Sequence, residues 1–84
     1  MKITFKLYAT LSDYLPAEAR RTNMIELEVR DASTIAEVIA PYNLPPKLVH
    51  LVLVNGVFIA PEARATHALA DGDALAIWPP VAGG

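Results

Sequence analysis

A chain of 84 residues, 54% hydrophobic and without cysteine, has room for one small core but not for a large substrate cleft beside it, a disulfide scaffold or a thiolate metal site. Nine acidic against seven basic side chains give a formal charge of −2, which excludes a broad cationic footprint for nucleic acid. The opening Met1-Lys2-Ile3-Thr4-Phe5-Lys6 interrupts its apolar positions with lysine, so it reads as neither a secretory signal nor a membrane span, and a cytoplasmic location is expected.

From Lys2 to Tyr8 the residues alternate, with Ile3, Phe5 and Leu7 on one face and Lys2, Thr4, Lys6 and Tyr8 on the other. That period is that of a strand covered on one side. Leu11, Tyr14 and Leu15 then share helical spacing, but Pro16 and the shortness of the run restrict the segment to a packed connection with at most a turn or two of helix. Met24 to Val29 alternates again, Ile25, Leu27 and Val29 inward, and is predicted to pair with the first strand.

Thr34, followed three residues later by Glu37, is the signature of a capping box for a helix beginning at Ile35. Ile35, Val38 and Ile39 form its sheet-covering face, and Pro41 and Pro45-Pro46 oppose its continuation. Leu48 to Val54 is apolar nearly throughout, as an interior strand is, and Asn55-Gly56 predicts a hairpin returning through Val57-Phe58-Ile59. Asp71-Gly72-Asp73 marks another turn. Leu75 and Ile77 then alternate with Ala74, Ala76 and Trp78 in a last strand ended by Pro79-Pro80. The order β-β-α-β-β-β predicts an α+β domain over residues 1–84, with one helix across one face of a mixed sheet and the other face open.

Side chains suited to bond chemistry do not converge in this pattern. His50 and His67 have no carboxylate pair at ligand spacing, and Asp71 and Asp73 lack the further oxygen ligands of a calcium loop. Ser12 and Ser33 stand in no nucleophile elbow. The expectation is a chain that is not catalytic alone and binds neither a metal nor an organic cofactor. The C-terminal Pro79-Pro80-Val81-Ala82-Gly83-Gly84 has a different character. Two prolines hold the base of such a segment extended, and two glycines present bare backbone at its end, suited to a channel too narrow for a side chain. Six residues reach at most ~20 Å beyond the last strand. The terminal carboxylate becomes an acyl donor only after reaction with ATP gives it an adenylate leaving group, which a sulfur nucleophile can displace.

The stretches "KITFKLYATL", "DASTIAEVI", "VLVNG" and above all "HALADGDALAIWPPVAGG" resemble the MoaD/ThiS family of ubiquitin-like sulfur carriers, with greater likeness to the MoaD branch. The connections, Arg20-Arg21-Thr22-Asn23 and "APYNLPPKLVH", depart from the MoaD pattern. The resemblance implies a β-grasp fold of about five strands on one main helix, with residues 79–84 as a protruding tail. It implies that Gly84, preceded by Gly83, is adenylated by an E1-like enzyme of the MoeB/ThiF type that uses ATP, and is then thiocarboxylated. In a MoaD-like role the tail enters a MoaE-like large subunit of molybdopterin synthase and donates sulfur for the molybdenum cofactor. The alternatives are a carrier for cysteine or thiamine synthesis and a non-catalytic β-grasp interaction module. Positions matching the family's partner surface are Tyr8, Phe58 and Trp78, continued by Pro79, Pro80, Val81 and Ala82.

Overall fold

Each of the alternating segments becomes a strand whose apolar residues turn to one side. The computed structural model describes residues 1–80. Its elements are β1 (Lys2–Leu7), β2 (Met24–Glu28), α1 (Ile35–Ile39), β3 (Leu51–Val54), β4 (Val57–Phe58) and β5 (Ala74–Trp78), joined by several short 3₁₀ turns. The strands form one sheet in the order β2-β1-β5-β3-β4. β1 and β5 run parallel at its centre, and the β1–β2, β3–β5 and β3–β4 pairs are antiparallel. This is the mixed sheet under one main helix expected for a β-grasp.

Ile3, Phe5 and Leu7 of β1, Val52 and Val54 of β3, and Leu75 and Ile77 of β5 are buried on the helix side, where Ile35 and Val38 cover them. Non-directional burial of apolar area is what holds the helix there. Leu11 and Leu15, in and just after the 3₁₀ turn Ala9–Tyr14, close the same core, and Tyr42 lies against Phe5 with ring centroids 4.8 Å apart. Ile25, Leu27 and Val29 face inward as expected but remain half-buried, because β2 is an edge strand.

Some boundaries differ from expectation for local reasons. β3 begins at Leu51 rather than Leu48, because the chain turns as 3₁₀ through Pro46–Leu48 and the Leu48 and Val49 N–H groups donate to the Pro45 and Pro46 carbonyls instead of to a neighbouring strand. Tyr14 is exposed instead of joining Leu11 and Leu15 inside. β4 stops at Phe58, yet Ile59 is buried and its N–H still donates to the Val52 carbonyl at 2.9 Å.

The capping box forms in full. The Glu37 N–H donates to Thr34 Oγ1 at 3.2 Å, and the Thr34 N–H donates to Glu37 Oε1 at 2.8 Å. With only five residues, α1 is too short to be stable by propensity, so its first-turn donors matter. Thr34→Ala is expected to lower stability by about 1 kcal/mol in urea denaturation. The hydrogen bond from the Thr34 N–H, chiefly, holds the Glu37 carboxyl below its ordinary value of 4.5. A lowered pKa stabilises the fold above the ordinary value and ceases to do so as pH falls through the folded one. The stability difference between the native chain and Glu37→Gln is therefore expected to shrink as the pH of the denaturation series falls below 4.5.

At the hairpin, Asn55 and Gly56 both adopt positive φ, 51° and 83°, the backbone of a type I′ turn. Asn55 also bolts the turn to β5. Its Nδ2 donates to Asp73 Oδ1, its Oδ1 accepts from the Ala74 N–H, and its own N–H donates to the Ala74 carbonyl, each at 2.9 Å. Replacement by alanine removes both side-chain bonds and leaves a Cβ-bearing residue in the left-handed region without them. Asn55→Ala is expected to cost about 1.5 kcal/mol by thermal or chemical denaturation.

Candidate functional site

The face of the sheet away from α1 is built by the residues that alternate with the core. Register aligns Met24, Lys6, Ala76, Leu53 and Phe58 in one row across all five strands, and Trp78 beside Leu51 in another. Tyr8 follows Leu7, the partner of Ile77, and its N–H donates to the Ile77 carbonyl at 3.1 Å. That bond carries the β1 register one residue further and places Tyr8 beside Trp78. Their rings stack with centroids 4.3 Å apart and planes 6° from parallel. Ala9, at φ 52°, then turns the chain off the sheet, so the pair lies at its margin.

The start of the C-terminal segment is fixed at the same point. The Trp78 carbonyl accepts the His50 N–H at 3.2 Å, which holds the last strand residue to the β3 side, while Tyr8 holds the ring on the β1 side. Pro79 is half-buried and Pro80 exposed. The structure thus brings Tyr8, Trp78 and Pro79 together where β5 ends. Phe58 stands on the same face across the sheet and is 54% exposed. Val81, Ala82, Gly83 and Gly84 lie outside the described residues.

Leu51 and Leu53 belong to this face although sequence reasoning did not single them out. Their signal was present in the apolar run Leu48 to Val54, in which Val52 and Val54 are buried and Leu51 and Leu53 are half-buried. An apolar residue on both faces of a strand is read as interior until the register shows that no described element covers one side. Exposed Met24, in the same row as Phe58, extends the apolar character to the β2 edge. Around Trp78, Leu51, Leu53 and Phe58 the face offers carbon surface and aromatic rings, while Lys2, Lys6, Glu26 and Glu28 charge its β1–β2 side, and the apolar part is suited to protein contact.

His50 is exposed and His67 half-buried, and the His67 carbonyl accepts the Ile35 N–H at 3.1 Å. Ser33 is buried, its hydroxyl donating to the Arg30 carbonyl at 2.6 Å. Asp71 and Asp73 organise their turn through the backbone N–H groups of Lys2 and Ala70. Among the described residues no three His, Cys, Asp or Glu side chains are grouped as metal ligands, and no helix is long and apolar enough to cross a membrane.

Several known proteins share this architecture. The solved structure of SAMP1 from Haloferax volcanii is similar at 25% identity and a TM-score of 0.64, with all of both chains covered. The Haloferax volcanii HVO 2177 protein is similar at 28% identity and a TM-score of 0.74, covering all of this chain and 87% of that one. A putative molybdopterin converting factor, subunit 1, from Pyrococcus furiosus aligns at 17% identity and a TM-score of 0.63, over 96% and 99% of the two chains, which shows likeness of fold. No curated protein matches in sequence. The profile of the ThiS family, however, matches residues 14–84. It spans the helix, the Asn55-Gly56 hairpin, β5 and the final Gly83-Gly84, so the sulfur-carrier resemblance and the ubiquitin-like sheet order meet in one assignment: the chain belongs to the ThiS family.

Proposed function

We propose that the chain is a carrier recognised by partner proteins through the Tyr8, Phe58 and Trp78 face, with its Gly84 carboxylate activated by an adenylating enzyme. The observation that carries this is the stacked Tyr8–Trp78 pair at the base of the C-terminal segment, on a sheet face where Leu51, Leu53 and Phe58 add apolar surface. A partner that covers this face sits where residues 79–84 begin, and their ~20 Å reach sets how deeply its reaction centre can lie. The body supplies recognition and the partner supplies catalysis.

In the activating step a Gly84 carboxylate oxygen attacks the α-phosphorus of ATP and pyrophosphate departs, leaving an acyl adenylate. Hydrosulfide attacking the acyl carbon expels AMP and yields a thiocarboxylate, the form that donates sulfur. Membership of the ThiS family supports this acceptor. Within it, the molybdopterin role and its MoaE-like partner draw on likeness of fold at 17% identity, and the proteins at 25% and 28% identity name no pathway. The ubiquitin-like sheet order fits equally a second acceptor for the same adenylate, a protein amine, whose attack expels AMP and forms an amide.

Intact-mass measurement separates these outcomes after incubation with a cognate activating enzyme, ATP, a sulfur source and cell extract. A carrier gains the mass difference between sulfur and oxygen, and a modifier appears on other proteins through an amide at Gly84. A chain unchanged under all these conditions overturns the proposal and leaves an interaction module.

A further inference from the structure

β2 is an edge of the sheet, and its register determines which backbone groups it leaves free. The Val29 N–H donates to the Met1 carbonyl at 2.8 Å, and the Leu7 N–H donates to the Asn23 carbonyl at 3.0 Å. Between these, Leu27 and Ile25 oppose Ile3 and Phe5. The hydrogen-bonded positions of β2 are therefore the odd ones, and the N–H and C=O groups of Glu26 and Glu28 point away from β1. Beside that edge, on the helix side, lies a groove of about 520 Å³ whose apolar lining is Leu27, Val29, Val38, Pro41 and Tyr42.

We propose that this edge and groove bind an extended segment of a partner protein in which basic and apolar residues alternate, added to the sheet as a sixth strand beside β2. A strand paired there sends alternate side chains to opposite faces. Those on the helix side enter the apolar groove. Those on the open side stand opposite Glu26 and Glu28, which are exposed, and opposite charges at such positions favour pairing.

The other edge of β2 already meets the same demands. There β1 places Lys2 opposite Glu28 while Ile3 and Phe5 turn to the core. A second copy of the chain fits less well, because antiparallel pairing of two β2 strands centred on Glu26 or Leu27 sets glutamate against glutamate. The groove also lies toward the Ile3 end of the sheet, opposite Leu27, whereas the chain leaves β5 at the Leu7 end. Its occupation leaves the Tyr8–Trp78 site accessible, so the inference is independent of the proposed function.

The test uses the full chain, labelled with ¹⁵N, and a capped hexapeptide alternating lysine and valine. Its controls are the alternating glutamate–valine peptide and a block peptide of three lysines and three valines. The expected result is movement of the Glu26, Leu27 and Glu28 amide signals, with the alternating basic peptide binding about tenfold more tightly than either control. Glu26→Pro removes an outward donor that β1 does not use and is expected to weaken binding by about tenfold with the β1–β2 ladder retained. Should that variant unfold, the double variant Glu26→Lys, Glu28→Lys carries the test, with preference expected to pass to the glutamate–valine peptide. Absence of binding, equal binding of the block peptide, signals moving at Tyr8, Phe58 and Trp78 instead, or a self-associated chain whose β2 is already paired would overturn the inference.

Discussion

A chain lengthened by a single residue after Gly84 is expected to fold normally and to lose at least about 100-fold in the rate of thiocarboxylate formation. The two halves of this expectation have separate physical origins. Every hydrogen bond and core contact described above is made within residues 1–80, so an addition beyond Gly84 removes none of them. Urea denaturation is expected to leave the midpoint unchanged. Activation, by contrast, depends on one carboxylate reaching the α-phosphorus of ATP in a partner. An added residue converts the Gly84 carboxylate to an amide and moves the new carboxylate out by about 3.5 Å, when a misplacement of about 1 Å can already cost about 100-fold. The measurement is intact mass against time with the activating enzyme, ATP and a sulfur source. Undiminished conversion of the lengthened chain would mean that the terminal glycine is not the reacting group. Deletion of Gly84 is a companion with the same expected sign, since it shortens the reach and puts a different residue at the end.

Much of this molecule could be read from short-range patterns, and what could not be read depended on register. The capping box at Thr34 and Glu37, the Asn55-Gly56 turn and the alternation of β1 and β2 are each set by residues within a few positions of one another. The structure reproduces them. The β1–β2 pair and the β3–β4 hairpin were legible locally, but the placement of β5 between β1 and β3 depends on contacts far apart in sequence, and no residue pattern gave it. For the same reason Tyr8 and Trp78 could be assigned to one face but not to one stack. Their contact exists because β5 runs parallel to β1 and brings the two strand ends together. Asn55 shows the limit at a single residue: its turn was legible, while its bonds to Asp73 and Ala74 required β5 to return beside β3. Leu51 and Leu53 were hidden inside an apolar run for want of the same information.

Trp78→Ala is expected to weaken binding of the activating enzyme by about 30-fold, roughly 2 kcal/mol, while lowering the stability of the free chain by less. The stacked geometry makes this a sharper expectation than exposure alone. In the free chain the indole already shares one face with Tyr8, and loss of such a pair costs about 0.5–1.5 kcal/mol. A partner that covers the open sheet buries the remaining face together with Leu51, Leu53 and Phe58, so the cost in the complex adds to that of the stack. Tyr8→Ala removes the same stack from the other side, and the double variant should lose less affinity than the two single losses combined. Phe58→Ala isolates the contact. Phe58 is 54% exposed, so its removal is expected to change stability by no more than about 0.5 kcal/mol while still weakening the complex. Titration calorimetry for binding and urea denaturation for stability, on all four variants, distinguish the two roles. If Trp78→Ala costs no more affinity than stability, and Phe58→Ala leaves binding unchanged, the aromatic residues brace the sheet and the partner engages another surface.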